Sequence, residues 1–296
     1  MIKFFLRCLI LLFVLLPLVA LFVFIIHTTK YGVTPNITNS PPSEAHSALP
    51  GPINPELSKV AYPLPPSIKK LSCNRPKTGL ITLWFDDAWL SQYTSGAIQL
   101  MNKAGFVGAM SVPTGLVGDP EFMTWDQLRA LQANGWETTS HSVTHICDPS
   151  AYNAETTAYE LLHSKAQLES QGLRTDYFVM PCGYNQYVVP EVVAFAKQHY
   201  LLYRRAGEEI NSLPVQDPYN VTSFAVTDVT TEDDVRKWVN AASQQKGWLI
   251  LVFHQIDNRK LRYNIDINMF ENILTIVKNS GLPVVLPNQV LQACST

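Results

Sequence analysis

The sequence predicts an α/β fold in which about eight parallel strands form a barrel, over residues 77–292. Short apolar segments typical of buried strands alternate there with segments of helical period. This alternation favours parallel strands joined by crossover helices, and about eight strands in one domain indicate a barrel rather than an open sheet. In such barrels the chemistry lies at the carboxyl ends of the strands, so polar residues at those ends are the candidates for function.

The strand predictions rest on apolar runs bounded by turn residues. In order, they are LITLWF, FVGAMSVP, WETTS, DYFVMP, YLLYR, SFAVT, WLILVFH and PVVLP. The helix predictions rest on apolar residues at helical spacing, and two helices carry N-terminal signals. Thr124 with Gln127 is a candidate capping box, and Thr230 and Thr231 precede a second helix. The predicted helices are SGAIQLMNKAG, TWDQLRALQANG, residues 155–169, VPEVVAFAKQH, EDDVRKWVNAASQQ and MFENILTIVKNSG.

Residues 1–30 predict a membrane segment. Lys3 and Arg7 precede the uncharged stretch Cys8–Ile26, which is long enough as a helix to cross a bilayer core. The residues Phe22–Ile26 are bulky where signal cleavage requires small side chains, so we favour an uncleaved signal anchor. The basic start keeps the N-terminus cytoplasmic and places the following domain in the periplasm or outside the cell. If the segment is cleaved instead, the protein is secreted.

Residues 31–76 are rich in Pro, Ser and Asn and predict an extended linker between the membrane segment and the domain. The formal net charge is -2 and the pI is about 6.4, with no long basic stretch. This charge balance excludes nucleic acid as an electrostatic partner.

Four of the five cysteines lie outside the membrane segment, and four cysteines allow three pairings. We expect Cys73 to pair with Cys294, because they bracket the domain, and Cys147 to pair with Cys182. Four free thiols are the alternative.

Three groups of polar residues follow predicted strands. Asp86 and Asp87 end the first strand, His141 and His145 of SHSVTH follow the third, and His254 ends WLILVFH. A barrel would bring all of them to one mouth. They are therefore the candidates for a shared site.

His141 and His145 are four residues apart, so on a helical turn they would share one face and suit a divalent metal. Ser142 stands where a metalloprotease of the H-E-x-x-H type has its Glu, so that class is disfavoured. Asp86 or Asp87 can supply a third ligand, and the other can act as a general base beside a metal-bound water. The alternative is that the paired aspartates cap the following helix.

FDDAW, SHSVTH, MPCGYN and LVFHQID, in this order and spacing, resemble the motifs of the polysaccharide deacetylases of carbohydrate esterase family 4. The resemblance covers about residues 77–290, and TWDQLRALQANGWETTSHSVTH is also typical of the family. It implies a distorted (β/α) barrel of about seven to eight parallel strands. It also implies a metal-dependent hydrolase that removes N-acetyl or O-acetyl groups from a polysaccharide, with a divalent ion that we expect to be zinc.

The resemblance also implies a role for each candidate residue. Asp86 would be the base, Asp87, His141 and His145 would bind the metal, and His254 would be the general acid. The Cys182 backbone N–H would contact the oxyanion. Gly183, Tyr184 and Trp84 are further candidates for substrate contact. Trp84, Tyr184, Trp89 and Tyr93 could stack on sugar rings, and the alternative for at least half of these aromatics is packing in the core.

The sequence departs from the family pattern in three places. Ala88 replaces a Gly, which is a mild change if φ there is negative. The family motif R-x-P-Y-G reads VMPCG here, so the Arg that would orient the base is missing. The Asp and Trp that usually accompany the acid histidine are not clear, and Asp228 or Trp238 could stand in for them.

Two other functions stay open. Two histidines and one carboxylate also suit non-haem iron, as in an oxygenase. The missing Arg would fit a non-catalytic glycan-binding relative of a deacetylase. Retention of both aspartates and His254 speaks against each alternative. The sequence leaves the polymer and the oligomeric state open.

Overall fold

The computed structural model describes residues 78–182 and 189–294. Seven strands form one parallel sheet in these residues. The strands are β1 (Leu80–Phe85), β2 (Ala109–Val112), β3 (Glu137–Ser140), β4 (Tyr177–Val179), β5 (Leu202–Arg204), β6 (Phe224–Ala225) and β7 (Trp248–Phe253). Their order across the sheet is β5-β4-β3-β2-β1-β7-β6.

Helices connect the strands and cover the outside of the sheet. They are α1 (Leu90–Thr94), α2 (Ala97–Ala104), α3 (Trp125–Ala133), α4 (Ala154–Ala158), α5 (Ser164–Ser170), α6 (Pro190–His199), α7 (Glu232–Gln245), α8 (Ile267–Asn279) and α9 (Pro287–Cys294). A π-helical turn, Tyr159–His163, joins α4 to α5. A short 3-10 turn, Thr114–Leu116, follows β2.

Seven of the eight predicted strands and all six predicted helices are confirmed. The segment PVVLP is the exception, because it forms only a single bridge, from Val284 to Ile81. The capping box of Thr124 and Gln127 is present at α3, and Thr231 caps α7. The helices α1 and α9 were not predicted from the sequence.

The sheet is curled and only loosely joined at its edges. β1 pairs with β7 along its whole length, from Leu80 with Trp248 to Phe85 with Phe253. A single parallel bridge between Arg204 and Val221 connects β5 to the segment before β6. The sheet is thus a partly open form of the predicted barrel.

Both faces of β1 are buried, as expected for a strand in the middle of a parallel sheet. On the helix-covered side, Phe85 packs against Phe253 and Phe270, with ring centroids 5.3 and 5.8 Å apart. On the other side, Trp84 and Trp248 belong to a second apolar cluster. This packing fixes the strand whose carboxyl end carries the paired aspartates.

No helix within 78–182 and 189–294 combines the length and apolar character needed to cross a membrane. The predicted membrane segment (1–30) and linker (31–76) lie outside the described residues. So do Cys73 and the side chain of Cys294, which were expected to form a disulfide.

Glu137 opens β3 at the end of the sheet opposite the candidate site. Its carboxylate accepts a hydrogen bond from the backbone N–H of Asn288 at 3.1 Å. Burial raises the pKa of Glu137 to about 8, against the opposing effect of that hydrogen bond. In an unfolded chain the pKa of Glu is about 4.3. Between these values the folded protein holds a proton that the unfolded chain releases, so stability is lost as pH rises toward the folded pKa.

We predict that Glu137→Gln raises the free energy of unfolding at pH 8 and leaves it nearly unchanged at pH 4, because the variant removes this titration. Urea unfolding at both pH values measures the effect. A difference between variant and wild type that is the same at pH 4 and pH 8 would contradict the assignment.

Candidate metal-binding active site

The carboxyl ends of three strands bring the candidate residues together, as the sequence predicted. Asp86 and Asp87 directly follow β1, and His141 directly follows β3. His145 lies four residues further along the same loop, and His254 directly follows β7. All five residues therefore lie at the edge of the sheet where parallel α/β folds hold their sites.

Asp87, His141 and His145 form a compact group of possible metal ligands. Asp87 Oδ1 lies 3.2 Å from His141 Nε2 and 3.0 Å from His145 Nε2. Ligand atoms bound at about 2.0–2.2 Å around a tetrahedral zinc ion stand roughly 3.3–3.6 Å apart. The two distances from Asp87 are therefore close to those within one ligand set, and all three ligand atoms lie within 4.8 Å of one another. The second oxygen, Asp87 Oδ2, accepts a hydrogen bond from Trp89 Nε1 at 2.8 Å.

The hydrogen bonds of His141 fit the same interpretation. His141 Nδ1 lies 2.8 Å from the Val179 carbonyl oxygen, which can only accept a hydrogen bond. Nδ1 therefore carries a proton, and Nε2 faces Asp87 Oδ1. A backbone carbonyl bound to Nδ1 is the usual support for a histidine whose Nε2 binds a metal.

The charges at this group favour a cation. Burial raises the pKa of Asp87, but the facing imidazoles of His141 and His145 outweigh it and hold this pKa well below its usual value. Burial lowers the pKa of His145, but the Asp87 carboxylate outweighs it and raises this pKa. Asp87 is thus an anion that attracts positive charge, which is the state required of a metal ligand.

The loop that carries the two histidines is irregular, so the expectation that they share a face of a helical turn is wrong. Ser142 and His145 have φ of 68° and 58°, in the left-handed region. These two residues bend the chain tightly enough to point both Nε2 atoms at one carboxylate oxygen. The four-residue spacing of the histidines suggested a helical turn, but spacing alone does not determine φ.

A disulfide joins Cys147 to Cys182, which is one of the two expected pairings. It connects the loop after β3 to the loop after β4. The two sulfur atoms lie 3.9 and 4.0 Å from His145 Nδ1, on the side of the ring away from Asp87. The disulfide therefore packs behind a candidate metal ligand.

Asp86 turns away from the histidine pair and forms a buried ion pair with Arg204 at the end of β5. Arg204 Nη2 lies 2.6 and 2.5 Å from the two carboxylate oxygens. Arg204 Nη1 donates to Ser223 Oγ at 2.6 Å, and the guanidinium lies over the Trp84 ring. Burial raises the pKa of Asp86, but Arg204, followed by His141 and His254, outweighs it and lowers this pKa. Asp86 is therefore ionised.

Arg204 is one site residue that was not predicted from the sequence. The family motif has its Arg at the position of Val179, the last residue of the fourth strand, whereas Arg204 ends the fifth. A signal was present, because YLLYR is a predicted buried strand that ends in a charged side chain. Applying the strand-end criterion to basic as well as acidic residues would have found it.

His254 lies beside Tyr263, with ring centroids 4.8 Å apart. Burial lowers the pKa of His254. Asp228 and Trp238 do not accompany it: Asp228 is exposed and Trp238 packs against Phe224. Neither of these two described side chains contacts the imidazole.

Gln92 on α1 is a second residue that the sequence did not indicate. It is fully buried, and its Nε2 lies 2.7 Å from the Asp86 carbonyl oxygen and 2.8 Å from that of His254. It thus ties together the chain segments that carry the expected base and acid. A single Gln in a short polar helix has no sequence signal for this role.

The expected substrate contacts need correction. Trp84 is fully buried and donates from Nε1 to Ser111 Oγ at 2.7 Å, so it cannot stack on a sugar. Trp89 is half-buried and stacks on Phe122, while Tyr93 packs against the apolar core. Gly183 and Tyr184 lie outside the described residues.

Ala88 adopts a φ of 52°, so the expectation of a mild change from Gly does not hold. A left-handed conformation costs a residue with a Cβ about 1–2 kcal/mol, and glycine avoids most of this cost. The chain bends here in the way that the family's Gly allows, and Ala88 tolerates the strain.

Comparison with known proteins confirms the resemblance. Residues 74–201 match the family model described as polysaccharide deacetylase. A deacetylase solved with its substrate is 14% identical, with a TM-score of 0.50 over 74% of this chain and 93% of its own. A family 4 acetyl xylan esterase from Clostridium thermocellum, solved with a cobalt ion, is 16% identical. Its TM-score is 0.50 over 72% of this chain and 90% of its own.

These two structures establish the fold, and no curated protein sequence matches the chain. The family match includes Asp86, Asp87 and both histidines of SHSVTH but ends at residue 201. Arg204 and His254 lie beyond it, so the case for these two residues rests on their positions in the structure.

We predict that the protein binds about one equivalent of zinc and that His141→Ala or Asp87→Ala abolishes this binding, because each removes one of three ligands. Metal analysis after zinc loading and dialysis measures it. Asp86→Asn is the matched control, because it alters the neighbouring carboxylate and should keep the metal. Equal zinc content in all four proteins would contradict the ligand set.

We predict that Arg204→Met lowers the free energy of unfolding by about 3–5 kcal/mol, because it leaves Asp86 buried without its counter-charge. The double variant Asp86→Asn/Arg204→Met should recover part of that loss. Urea unfolding of the wild type, both single variants and the double variant at pH 7 measures the coupling. Strictly additive losses would show that the two side chains do not depend on each other.

Proposed function

We propose that the protein is a metal-dependent deacetylase of carbohydrate esterase family 4, acting on acetylated sugars in a polysaccharide. The single observation that carries this proposal is the division of the paired aspartates. Asp87 faces His141 and His145, while Asp86 is held apart from them by Arg204. One carboxylate is thereby available to a metal, and its neighbour stays ionised beside it.

A divalent ion held by Asp87, His141 and His145 would polarise the acetyl carbonyl and lower the pKa of a bound water. We expect Asp86 to take the proton of the attacking water as the water oxygen bonds to the acetyl carbon. The backbone N–H of Cys182 is the expected donor to the oxyanion. The C–N bond then breaks, and the products are acetate and a free amino sugar.

His254 is the expected donor of a proton to the leaving nitrogen. Burial lowers the pKa of this imidazole, so its protonated form is a stronger acid than free imidazolium. The Asp86–Arg204 pair keeps the base charged at the same time.

Zinc is the ion we propose, because two imidazoles and one carboxylate are the ligands of many catalytic zinc sites. We further propose that the domain lies outside the cytoplasm, attached by residues 1–30 through the linker 31–76. The Cys147–Cys182 disulfide supports this location, since disulfides persist in oxidising compartments.

The two alternatives explain the site less completely. A glycan-binding relative would have no use for a charged base held by a buried guanidinium. An iron oxygenase would use Asp87 and the two histidines but leaves Asp86, Arg204 and His254 without a role. Both alternatives are outcomes of the test below.

We predict that the zinc-loaded protein releases acetate from short N-acetylglucosamine oligomers and that a chelator stops the release. Asp86→Asn should keep its zinc and lower kcat by about 10²–10⁴-fold, because it removes the base and leaves the three candidate ligands in place. Acetate release and bound zinc are measured on the same samples, with Asp87→Ala as the control that loses both.

Full activity in Asp86→Asn would overturn the assignment of the base. A protein that binds zinc and glycan without releasing acetate would support the glycan-binding alternative. Activity that requires iron and oxygen would support the oxygenase.

A further inference from the structure

The loop between His141 and His145 contacts a buried carboxylate that has no part in the reaction proposed above. Glu160 is 1% exposed and lies in the π-helical turn between α4 and α5. Its Oε2 accepts the backbone N–H groups of Val143 and Thr144 at 2.8 and 2.9 Å. Its Oε1 accepts the Thr144 hydroxyl at 2.7 Å. Glu160 thus accepts three hydrogen bonds from the segment between the two histidines.

The backbone of this loop needs such an acceptor. Ser142 and His145 are left-handed, and between them the N–H groups of Val143 and Thr144 point to the same side. Consecutive N–H groups in this arrangement form a small concave site for an anion. Charge-assisted hydrogen bonds to a carboxylate are stronger than neutral ones. Glu160 therefore stabilises a loop conformation that costs energy on its own.

The opposite side of the loop is fixed by the 3-10 turn after β2. The N–H of Thr114 donates to the Ser142 carbonyl at 3.1 Å, and that of Gly115 donates to the Val143 carbonyl at 2.9 Å. A Cβ atom on Gly115 would lie only 2.7 Å from the Val143 carbonyl oxygen. The loop is thus held between this turn and Glu160, with little room to move toward either.

The helical segment that carries Glu160 is itself attached to the strand before the loop. Ser164 Oγ lies 2.7 Å from Ser140 Oγ, and Ser140 directly precedes His141. Isolated π-helical turns are rare and occur frequently at functional sites. The position of Glu160 is therefore fixed relative to the first histidine as well as to the residues that follow it.

We infer that Glu160 is a positioning residue for the metal site: its buried carboxylate holds the loop in the one conformation that points His141 and His145 at Asp87. This inference rests on the metal site of the proposed function. Glu160 does not contact the metal ligands through its own side chain, so it would act on metal affinity through the loop backbone.

The test is zinc affinity, measured on the full chain by competition with a chromophoric chelator. Glu160→Ala should weaken zinc binding by about 10–100-fold, the range found when the supporting contacts of ligands are removed. Glu160→Gln should weaken it less, because one amide oxygen can still accept the two N–H groups. Glu137→Gln is the matched control, a substitution of a glutamate at the far end of β3, and should leave zinc affinity unchanged.

Two further variants perturb the loop without altering Glu160. Gly115→Ala pushes on the Val143 carbonyl from the opposite side and should also weaken zinc binding. Thr144→Val removes only the hydroxyl contact to Glu160 and should weaken it by a few-fold. These variants keep the inference testable where Glu160→Ala does not fold.

Zinc affinity within about two-fold of wild type in folded Glu160→Ala, or in both Thr144→Val and Gly115→Ala, would overturn the role of Glu160 and leave the proposed function intact. A wild-type protein that binds no zinc would overturn the metal site and this inference with it. Circular dichroism of each variant shows that a loss of affinity is not a loss of fold.

Discussion

Two carboxylates follow one another at the end of β1, and the buried guanidinium of Arg204 is what allows both to stay charged. A buried charge without a partner costs several kcal/mol, and an adjacent like charge adds to that cost. Arg204 neutralises Asp86, while Asp87 faces the imidazoles of His141 and His145. If Arg204 were absent, the state of lowest free energy would be the one in which one aspartate is protonated. The base or the ligand would then be lost.

The guanidinium depends in turn on the interior of the sheet. Trp84 lies beneath it, fixed by its hydrogen bond to Ser111 on β2, and Ser223 accepts from its other side. These interior contacts hold the guanidinium of Arg204 on β5 in a position from which it reaches Asp86 at the end of β1. The apolar packing outside the sheet sets the strand positions, and the polar contacts inside it set the direction of the side chains. The candidate site needs both.

Much of the fold and most of the site could be predicted, because they depend on local pattern. Apolar runs predicted the strands, and their positions at predicted strand ends singled out Asp86, Asp87, His141 and His254 as candidates. Contacts between distant residues could not be found this way. Arg204 lies 118 residues from Asp86, and nothing in either local sequence refers to the other.

Backbone conformation is the second feature that could not be predicted from the sequence. The spacing of the histidines suggested a helix, and only φ shows that the chain bends through left-handed residues instead. The same holds for Ala88, because the residue type does not show that its φ is positive. Trp84 was a candidate for stacking on a sugar because aromatic residues near a glycan site often bind sugars. In fact a strand buried on both faces has no exposed side.

The origin of Arg204 on β5 also bears on how relatives of this protein are sorted into active and inactive ones. The strands β4 and β5 are neighbours and end at the same edge of the sheet, so a guanidinium from either can reach the same carboxylate. The strand that carries the arginine can then differ between relatives, while the positive charge stays beside the same carboxylate. A filter that scores only the R-x-P-Y-G motif would discard such chains as inactive, whereas one that asks for a cation near the first aspartate would keep them.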